Sequence, residues 1–469
     1  MVNDSGETPK AIVSAPISRR TLMGVGAGFV AAAVSARAAR TAAFPALTGR
    51  GSVAGGTGSW RLPAHDLRAT RQGAPLAGIR RRWRNPLKGG VPGAPAIVGD
   101  RVFAASLGGD VAAFELESGR ERWRRGFGTS TYGTADQARE LGFFGGVAVV
   151  DGRVVAASDR VFCLDRASGR TVWSSKPLRT SSSDDYFWGP PVITGGLVLV
   201  GSGSGAELPT ARGRLTAYSL RDGALVWSTP MVPEGGKGGG VIAPASVDRR
   251  AGIVYVATGS PYQAVAGDNP GTCALVALRL RTGSIIWSDQ VHKGDSHGFD
   301  FNSAPVIIRR LLVAASKDGI YGWDRIARRR LWHRQITPAL SGGSTSAGPM
   351  DGPEGGPVAT DGERVYVLSN DAASNGGVAA ALEPSSGRVI WQRRLPSFSF
   401  AAPALAGDRL CTAGADGTLR FLSARNGRVA DEVVLGDPST CPPAAAHGRL
   451  VVGTGSAPFL PGTSLICIG

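Results

Sequence analysis

A glycine followed four residues later by a tryptophan recurs along this chain. The clearest copies end at Trp123, Trp173, Trp227, Trp287 and Trp391, looser copies end at Trp83 and Trp332, and a copy without the tryptophan passes through Gly427. Steps of roughly 40–60 residues are typical of repeat proteins, and this length favours the blades of a β-propeller. A single tryptophan in a strand is usually core, but seven tryptophans in phase predict a repeated contact between blades.

Each repeat predicts four short strands. The unit that ends at Trp173 predicts strands over Gly146–Val150, Arg153–Ala157, Val161–Asp165 and Thr171–Trp173. Val, Ile, Leu, Ala and Phe fill these runs, and Asp-Gly or Ser-Gly pairs separate them, as in β-hairpins. The last turn of each unit carries a glycine, which adopts a positive φ at low cost.

The count of units predicts how the ring closes. Seven complete units end near Trp123, Trp173, Trp227, Trp287, Trp332, Trp391 and Asp431. The tail then gives three strands, at Ala444–Ala446, Leu450–Gly453 and Leu465–Ile468, while Arg80–Arg84 carries Trp83 with no inner strands before it. We therefore predict an all-β, eight-bladed propeller of four-stranded blades, in which the N-terminal strand completes the last blade and removes an open edge.

The first residues predict export. Arg19 and Arg20 form a twin-arginine motif, and they precede the apolar run Leu22–Ala36 and the small-residue cleavage site Ala36–Ala38. A transmembrane anchor is the rival interpretation, but about fifteen residues are too few to span a bilayer. We expect a signal peptide at 1–38, a flexible lead-in at 39–58, the propeller at 59–469, no integral membrane segment in the mature chain, and a periplasmic or extracellular location.

Charge and cysteine content narrow the class of partner. The chain carries a net charge of +16; residues 1–38 contribute +2, which leaves +14 for the mature chain. No nucleic-acid recognition motif accompanies this charge, and the arginines cluster at blade turns and outer strands, so we predict no nucleic-acid partner. Five cysteines in an exported protein leave at least one thiol unpaired, and the absence of a C-x-x-C-H motif argues against covalent haem.

The repeat resembles the propellers of pyrroloquinoline-quinone (PQQ) dehydrogenases over about residues 60–469. The opening, from Trp60 through Ala64-His65-Asp66-Leu67 to Pro75-Leu76, is similar to the start of that domain. Non-enzymatic propellers that act in outer-membrane assembly share this level of similarity, so it indicates the fold rather than the activity. Three further segments resemble the dehydrogenases themselves, most of all their polyvinyl-alcohol dehydrogenase subgroup.

The first two segments imply a metal ligand and a catalytic base. Glu207, in Ser204-Gly205-Ala206-Glu207, resembles the family's Ca²⁺ ligand, and Arg212 follows after a short insertion; a hard cation prefers such carboxylate oxygens. Asp300, in His297-Gly298-Phe299-Asp300, matches the family's base, which takes the alcohol proton as hydride moves to the quinone and which also lies on the metal. The alternatives are a solvated hairpin Glu207, an Asp300 that caps a blade turn, and His297 as a metal ligand. Asn302 occupies the position that is a second aspartate in the family's lanthanide-using members, so the resemblance implies Ca²⁺ here.

The third segment and its surroundings imply the cofactor contacts. Lys317, in Ser316-Lys317-Asp318-Gly319, stands where the family places a cation against the quinone oxygens; the alternative is a surface lysine on a hairpin. Ser260 replaces the family's metal-binding Asn, and its hydroxyl is a weaker ligand. Ile242 and Gly356 replace two expected aromatic residues, so we expect Trp188 to supply a substitute stacking face for PQQ.

Two functions remain after this reasoning. The first is an exported quinoprotein oxidoreductase that oxidises a small or polymeric alcohol with PQQ and Ca²⁺ and passes electrons to an external acceptor. The second is a non-catalytic propeller that binds a protein or an envelope polymer. The replacements at Ile242, Ser260 and Gly356 are the sequence features that bear on the choice.

Overall fold

The fold is a closed ring of β-sheets. The computed structural model describes residues 58–132, 139–178, 185–204, 212–261, 269–295, 298–301, 303–338, 358–456 and 460–469. Within these residues all regular structure is β-strand, and eight sheets form the blades of a propeller. Seven blades run from an innermost to an outermost strand in chain order, the eighth takes its outermost strand from the N-terminal side, and neighbouring strands within each blade are antiparallel. In the described part of the chain, no helix has the length and apolar character needed to cross a membrane.

The first four blades share this order. Blade 1 contains β3 (Ala96–Val98), β4 (Arg101–Ala105), β5 (Asp110–Glu115) and β6 (Glu121–Gly126). Blade 2 contains β9 (Ala148–Val150), β10 (Arg153–Ala157), β11 (Val161–Asp165) and β12 (Thr171–Ser174). Blade 3 contains β14 (Val192–Thr194), β15 (Leu197–Ser204), β16 (Arg214–Ser219) and β17 (Leu225–Pro230). Blade 4 contains β18 (Ser246–Asp248), β19 (Ile253–Ala257), β20 (Ala274–Arg279) and β21 (Ile285–Gln290).

The other four blades complete the ring. Blade 5 contains β22 (Val306–Ile308), β23 (Leu311–Ser316), β24 (Gly319–Asp324) and β25 (Arg329–Arg334). Blade 6 contains β26 (Val358–Thr360), β27 (Val365–Asp371), β28 (Gly376–Leu382) and β29 (Val389–Leu395). Blade 7 contains β30 (Ala404–Ala406), β31 (Arg409–Ala413), β32 (Thr418–Ser423) and β33 (Val429–Val434). Blade 8 contains β34 (Ala444–Ala446), β35 (Arg449–Gly453), β36 (Ser464–Ile468) and, from the N-terminal side, β2 (Arg81–Pro86).

The predicted closure is confirmed. Strand β2 pairs antiparallel with β36, with Trp83 opposite Cys467 and Pro86 opposite Ser464. The unit used for the prediction is also close to the observed blade 2, in which two of the four strands have the predicted bounds. The remaining strands are short additions: β1 (Gln72–Gly73), the hairpin of β7 (Ser130–Tyr132) and β8 (Arg139–Leu141), and β13 (Asp185–Tyr186).

The repeated tryptophan contacts the repeated glycine turn of the next blade. The indole N–H of Trp173 donates to Leu220 O at 2.9 Å, in the last turn of the next blade. A Cβ added to that turn's Gly223, which has a φ of +74°, would lie 2.5 Å from the Trp173 ring. The same donation joins five other pairs, Trp83 to Leu116, Trp123 to Arg166, Trp227 to Leu280, Trp332 to Pro384 and Trp391 to Ala424. Glycine is therefore needed for its φ and for the close approach of the indole.

Two glycines of blade 4 allow the effect of a positive φ to be measured apart from the effect of the indole contact. Both have a similar φ, +70° at Gly283 and +66° at Gly252, but a Cβ at Gly283 would lie 2.5 Å from the Trp227 ring while one at Gly252 would meet nothing within 4 Å. We expect Gly252→Ala to lower the free energy of unfolding by about 1 kcal/mol through backbone strain. Gly283→Ala should cost about 2–4 kcal/mol because the clash adds to that strain. Urea unfolding measures both, and equal losses would show that the indole contact contributes nothing.

Residues 60–77, here called the channel segment, follow the inner wall of the ring. Its backbone carbonyls accept hydrogen bonds from inner-strand N–H groups of five blades, at Val149, Val247, Ile307, Thr360 and Leu405. Trp60 exchanges two backbone hydrogen bonds with Ile97, and Ala77 N–H donates to Gly448 O. Inner strands otherwise present unpaired edges toward the axis, so the channel segment satisfies backbone groups that the blades cannot satisfy themselves.

Candidate functional site

The predicted site residues that the structure describes all belong to one face of the ring. Because the strands of a blade alternate in direction, the turn between its second and third strands lies on the same face as the connection to the next blade. We call this the upper face. Arg212, Ser260 and Lys317 lie in second-to-third-strand segments, while Trp188 and Asp300 lie in connections between blades. The topology thus places residues of three blades around one mouth of the channel.

Asp300 is in contact with two of the predicted residues. The backbone N–H of Ser260 donates to Asp300 Oδ1 at 2.5 Å. Lys317 Nζ lies 3.6 Å from Asp300 Oδ2, and both side chains are mostly buried, with 10% and 19% of their surface exposed. The Lys317 N–H also donates to the backbone carbonyl of Asp300 at 3.3 Å. One carboxylate therefore lies between an amide donor from blade 4 and an ammonium group from blade 5.

Glycines make this close approach possible. Gly259 N–H donates to Gly240 O at 2.8 Å, and a Cβ on Gly259 would lie 3.0 Å from Asp300 Oδ1. In the adjoining blade, a Cβ on Gly203 would lie 2.7 Å from the Gly240 backbone, and one on Gly213 would lie 1.9 Å from Gly239 O. The Gly238-Gly239-Gly240 connection therefore packs directly on the neighbouring turns and fixes where Ser260 meets Asp300.

A network around Asp318 holds the turn that carries Lys317. Tyr321 OH donates to Asp318 Oδ2 at 2.5 Å, and ring nitrogens of His292 and His333 lie 3.1 and 3.4 Å from the Asp318 carboxylate. Burial opposes the charge on Asp318, but His292 and Tyr321 outweigh it and leave its pKa below the usual range. Sequence reasoning missed this role, although Asp318 directly follows Lys317. The sequence feature that could have indicated this role was an acidic residue in a two-residue turn, next to the lysine predicted to contact the cofactor.

Trp188 and Arg212 are placed close to this mouth but have partners of their own. The Trp188 ring packs against Phe144 and Tyr186, with centroids 5.2 and 5.1 Å away, and stays partly exposed. Arg212 donates to the backbone carbonyl of Val232 at 2.6 Å. Burial is the main cause of the lowered pKa of Arg212. Ile242 is partly exposed in the connection between blades 3 and 4. The cofactor roles of Trp188 and Arg212 stay predictions.

Four residues named from the sequence, Glu207, His297, Asn302 and Gly356, lie outside the described residues. The metal role of Glu207 therefore stays a prediction. Among the described residues, no group of three His, Cys, Asp or Glu side chains is arranged to hold a metal ion. The five cysteines are all buried with free thiols, so none forms a disulfide.

Asp185 is a buried carboxylate that the sequence did not single out. It is 7% exposed on β13, opposite Ser204 at the upper end of β15. Its Oδ1 atom finds no hydrogen-bond partner among the described residues. Burial raises the pKa of Asp185 to about 6. Its place next to the segment that carries Glu207 could only be seen once β13 was known to pair with β15.

The fold and the repeat define a PQQ-type eight-bladed propeller. The chain belongs to the PQQ_2 family, described as outer membrane protein assembly factor BamB, whose model matches residues 78–139, 107–347 and 327–457. The resemblance inferred from the repeat is confirmed.

Curated relatives include both enzymes and assembly factors. The chain is 24% identical to a polyvinylalcohol dehydrogenase from Pseudomonas sp. over 367 residues. This aligned region covers 67% of this chain and 54% of the relative. The chain is 26% identical over 396 residues to the outer membrane protein assembly factor BamB of Bordetella pertussis, which covers 82% of this chain and 87% of the relative. The chain thus spans about half the length of the dehydrogenase and most of the length of the assembly factor.

Solved structures show the same two groups. The quinohemoprotein alcohol dehydrogenase of Comamonas testosteroni superposes with a TM-score of 0.74 at 18% identity, over 89% of this chain and 81% of that chain. BamB of Moraxella catarrhalis superposes with a TM-score of 0.57 at 17% identity, over 84% of this chain and 98% of that chain. At these identities the likeness establishes the fold alone.

Proposed function

We propose that this protein is an exported quinoprotein oxidoreductase that oxidises a small or polymeric alcohol with PQQ and Ca²⁺. The observation that carries the proposal is the contact of Asp300 with Ser260 N–H and Lys317 Nζ at the upper mouth. A base for an alcohol proton and a cation for a cofactor oxygen must lie within a few ångströms of each other, and the separation of 3.6 Å between Asp300 and Lys317 supports these roles. The similarity to alcohol dehydrogenases supports the same reaction class.

The described residues fit a hard cation in part. The Asp300 carboxylate supplies oxygen atoms of the kind that Ca²⁺ prefers, and Ser260 contacts it through its backbone N–H. The Ser260 hydroxyl would be a further ligand. Glu207 would supply the second carboxylate. For PQQ, Lys317 would face the quinone oxygens, Arg212 its polar rim and Trp188 its flat face. Ile242 offers no stacking surface, so the proposal depends on Trp188 for that contact.

The protein's residues would handle the proton of the substrate. Asp300 would accept the hydroxyl proton of the alcohol on a carboxylate oxygen while the carbon-bound hydrogen leaves as hydride. The chemistry that PQQ would supply there is acceptance of the hydride, after which an external acceptor would take the two electrons. Lys317 would hold Asp300 and the cofactor oxygen at a fixed separation. Its mostly buried position strengthens this electrostatic contact because little water lies between the charges.

Binding of the cofactor tests the proposal directly. Purified mature protein mixed with PQQ and Ca²⁺ should retain one quinone after gel filtration, seen by its absorbance, and chelation of Ca²⁺ should release it. Lys317→Met should weaken PQQ binding by about tenfold or more, since a charge-assisted contact is lost. Lys293→Met is the matched control because Lys293 is exposed in the connection that also carries Asp300. Absence of any retained quinone would remove the enzymatic proposal.

The second candidate is a non-catalytic propeller that binds a protein or an envelope polymer. The observation in its favour is the match to B. pertussis BamB over 87% of that relative, whereas the match to the dehydrogenase covers 54% of it. The replacement at Ile242 points the same way. A protein that binds neither PQQ nor Ca²⁺ but keeps its fold would favour this function.

We further propose that the chain is exported by the twin-arginine route, on the evidence of Arg19-Arg20 and the apolar run that follows. Replacing both arginines by lysine should leave the precursor in the cytoplasm, because the translocase reads the arginine pair. Fractionation of cells that express each form measures this. Unchanged export of the lysine form would assign the segment to the general secretory route.

A further inference from the structure

The channel segment carries a buried cation without a counter-charge. Arg71 is 4% exposed, and its one hydrogen bond from the guanidinium goes to Pro63 O at 3.3 Å. Among the described residues no carboxylate contacts it. Burial lowers the pKa of Arg71 to about 10. Desolvation of an unpaired charge opposes folding by several kcal/mol unless another group compensates for it.

Other polar atoms near the channel segment also have no hydrogen-bond partner among the described residues. Trp60 Nε1 can only donate, whereas the role of His65 Nδ1 depends on the tautomer, and the two rings lie 4.9 Å apart. Thr440 Oγ1, a hydroxyl oxygen that can donate or accept, is also buried without a partner. Buried polar groups of a native protein normally have partners, so these atoms are open to a polar ligand.

The carboxylate of the channel segment, that of Asp66, already has hydrogen-bond donors within the segment. Asp66 accepts hydrogen bonds from the Arg68 N–H, the Thr70 N–H and the Thr70 hydroxyl, which close a turn within the segment. Residues 60–77 otherwise contain Arg61, Arg68 and Arg71 and no further acid. Three arginines and one aspartate give the segment a net charge of +2 with His65 neutral.

We propose that Arg71 binds an oxyanion in the central channel, either a free inorganic anion or the carboxylate of an organic ligand. A guanidinium group presents paired N–H donors that match two oxygens of such an anion. Among the described residues, no hydrogen bond or ion pair joins Arg71 to Asp300, whose partners are Ser260 and Lys317. Because the test below is made without PQQ, its outcome does not depend on PQQ binding.

Calorimetry and thermal melting of the mature protein without PQQ test the site. Sulfate, phosphate and acetate are titrated at constant ionic strength, with chloride as the balancing salt. We expect saturable binding by calorimetry and a rise in Tm of about 2 °C or more for at least one of them. A response to sulfate or phosphate identifies an inorganic anion, and a response to acetate identifies a carboxylate. No saturable binding of any of the three overturns the proposal.

Two variants assign the response to Arg71. Arg71→Met should abolish both the binding and the rise in Tm, and Arg71→Lys should keep a weakened response because the charge remains without the planar fork. Arg68→Met is the matched control, since Arg68 lies in the same segment with its side chain 65% exposed. A response of Arg71→Met equal to that of the unmodified protein also overturns the proposal. If Arg71→Met does not fold, Arg71→Lys and Arg68→Met decide, and equal affinities in the two would refute the assignment.

Discussion

Asp300→Asn is expected to lower the turnover of alcohol at least about 10³-fold while PQQ binding is retained. The amide has nearly the shape of the carboxylate, and its oxygen can still accept the Ser260 N–H. It cannot accept a proton from an alcohol, and proton transfer by a positioned base contributes typically 10²–10⁴-fold to a rate. Reduction of an artificial electron acceptor measures turnover, and quinone absorbance measures binding.

Asp416→Asn provides the control for that experiment. Asp416 lies on the upper face, in the corresponding turn of blade 7, where it pairs with Arg420 at 2.5 Å and has no contact with Asp300. Its replacement should leave kcat/KM within about twofold. If Asp300→Asn and Asp416→Asn had the same activity, Asp300 would not be the base. Loss of PQQ binding in Asp300→Asn would instead assign it a role in holding the metal.

Removal of the first 86 residues is expected to prevent formation of a stable ring. A chain that starts at residue 87 lacks β2, so blade 8 loses its outer strand and the Trp83 hydrogen bond to Leu116 O. It also lacks the channel segment and nine backbone hydrogen bonds to the blades, which are the eight described above and one from Gly407 N–H to Gly73 O. At a net value of about 1 kcal/mol each, these bonds approach the whole stability of a typical domain, about 5–15 kcal/mol.

Two less severe truncations separate the contributions. A chain that starts at residue 58 keeps every described contact, so its Tm should equal that of the mature protein. A chain that starts at residue 80 keeps β2 but lacks the channel segment, and we expect its Tm to lie between the other two. Circular dichroism against temperature measures all three. Equal Tm values for the chains that start at 58 and 87 would contradict the role of the N-terminal strand in closing the ring.

The blades were predictable because each repeats a local pattern. The strand lengths, the turn glycine and the tryptophan all follow from residues within about 50 positions of each other, and the indole of Trp173 packs on Gly223 as the repeat implied. The closing strand could be inferred by counting, since Arg80–Arg84 was an outer strand without a blade. The observed β2 is displaced from that range by one or two residues.

The channel segment was not predictable because its contacts are not local. It has no periodicity of its own, and its carbonyls pair with N–H groups that are up to 334 residues away, as between Arg71 and Leu405. His65, Ala69 and Arg71 also adopt positive φ values, which the sequence did not suggest for these residue types. Such a conformation is set by the ring around it.

The contacts of the candidate site residues were predictable only in part. Asp300 lies in contact with Ser260 and Lys317, but Ser260 meets it through its backbone N–H and not through the hydroxyl expected to bind a metal. The roles of the three residues stay predictions. The surroundings of Trp188 depend on Phe144 from another connection, and no local pattern links the two. The network at Asp318 depends in the same way on His292 and His333 from different segments.

The pairing of β2 with β36 also sets an order of events during folding. Arg84 and Ser464, which share a hydrogen bond across these strands, are 380 residues apart. The free energy of closing a loop of that length is about 2 kcal/mol higher than that of closing one repeat of about 40 residues, because more chain entropy is lost. Strand β2 cannot pair until β36 has been synthesised, so the edge of β2 stays unpaired until then. Ring closure is then a late step, and we expect it to limit the folding rate of the whole protein.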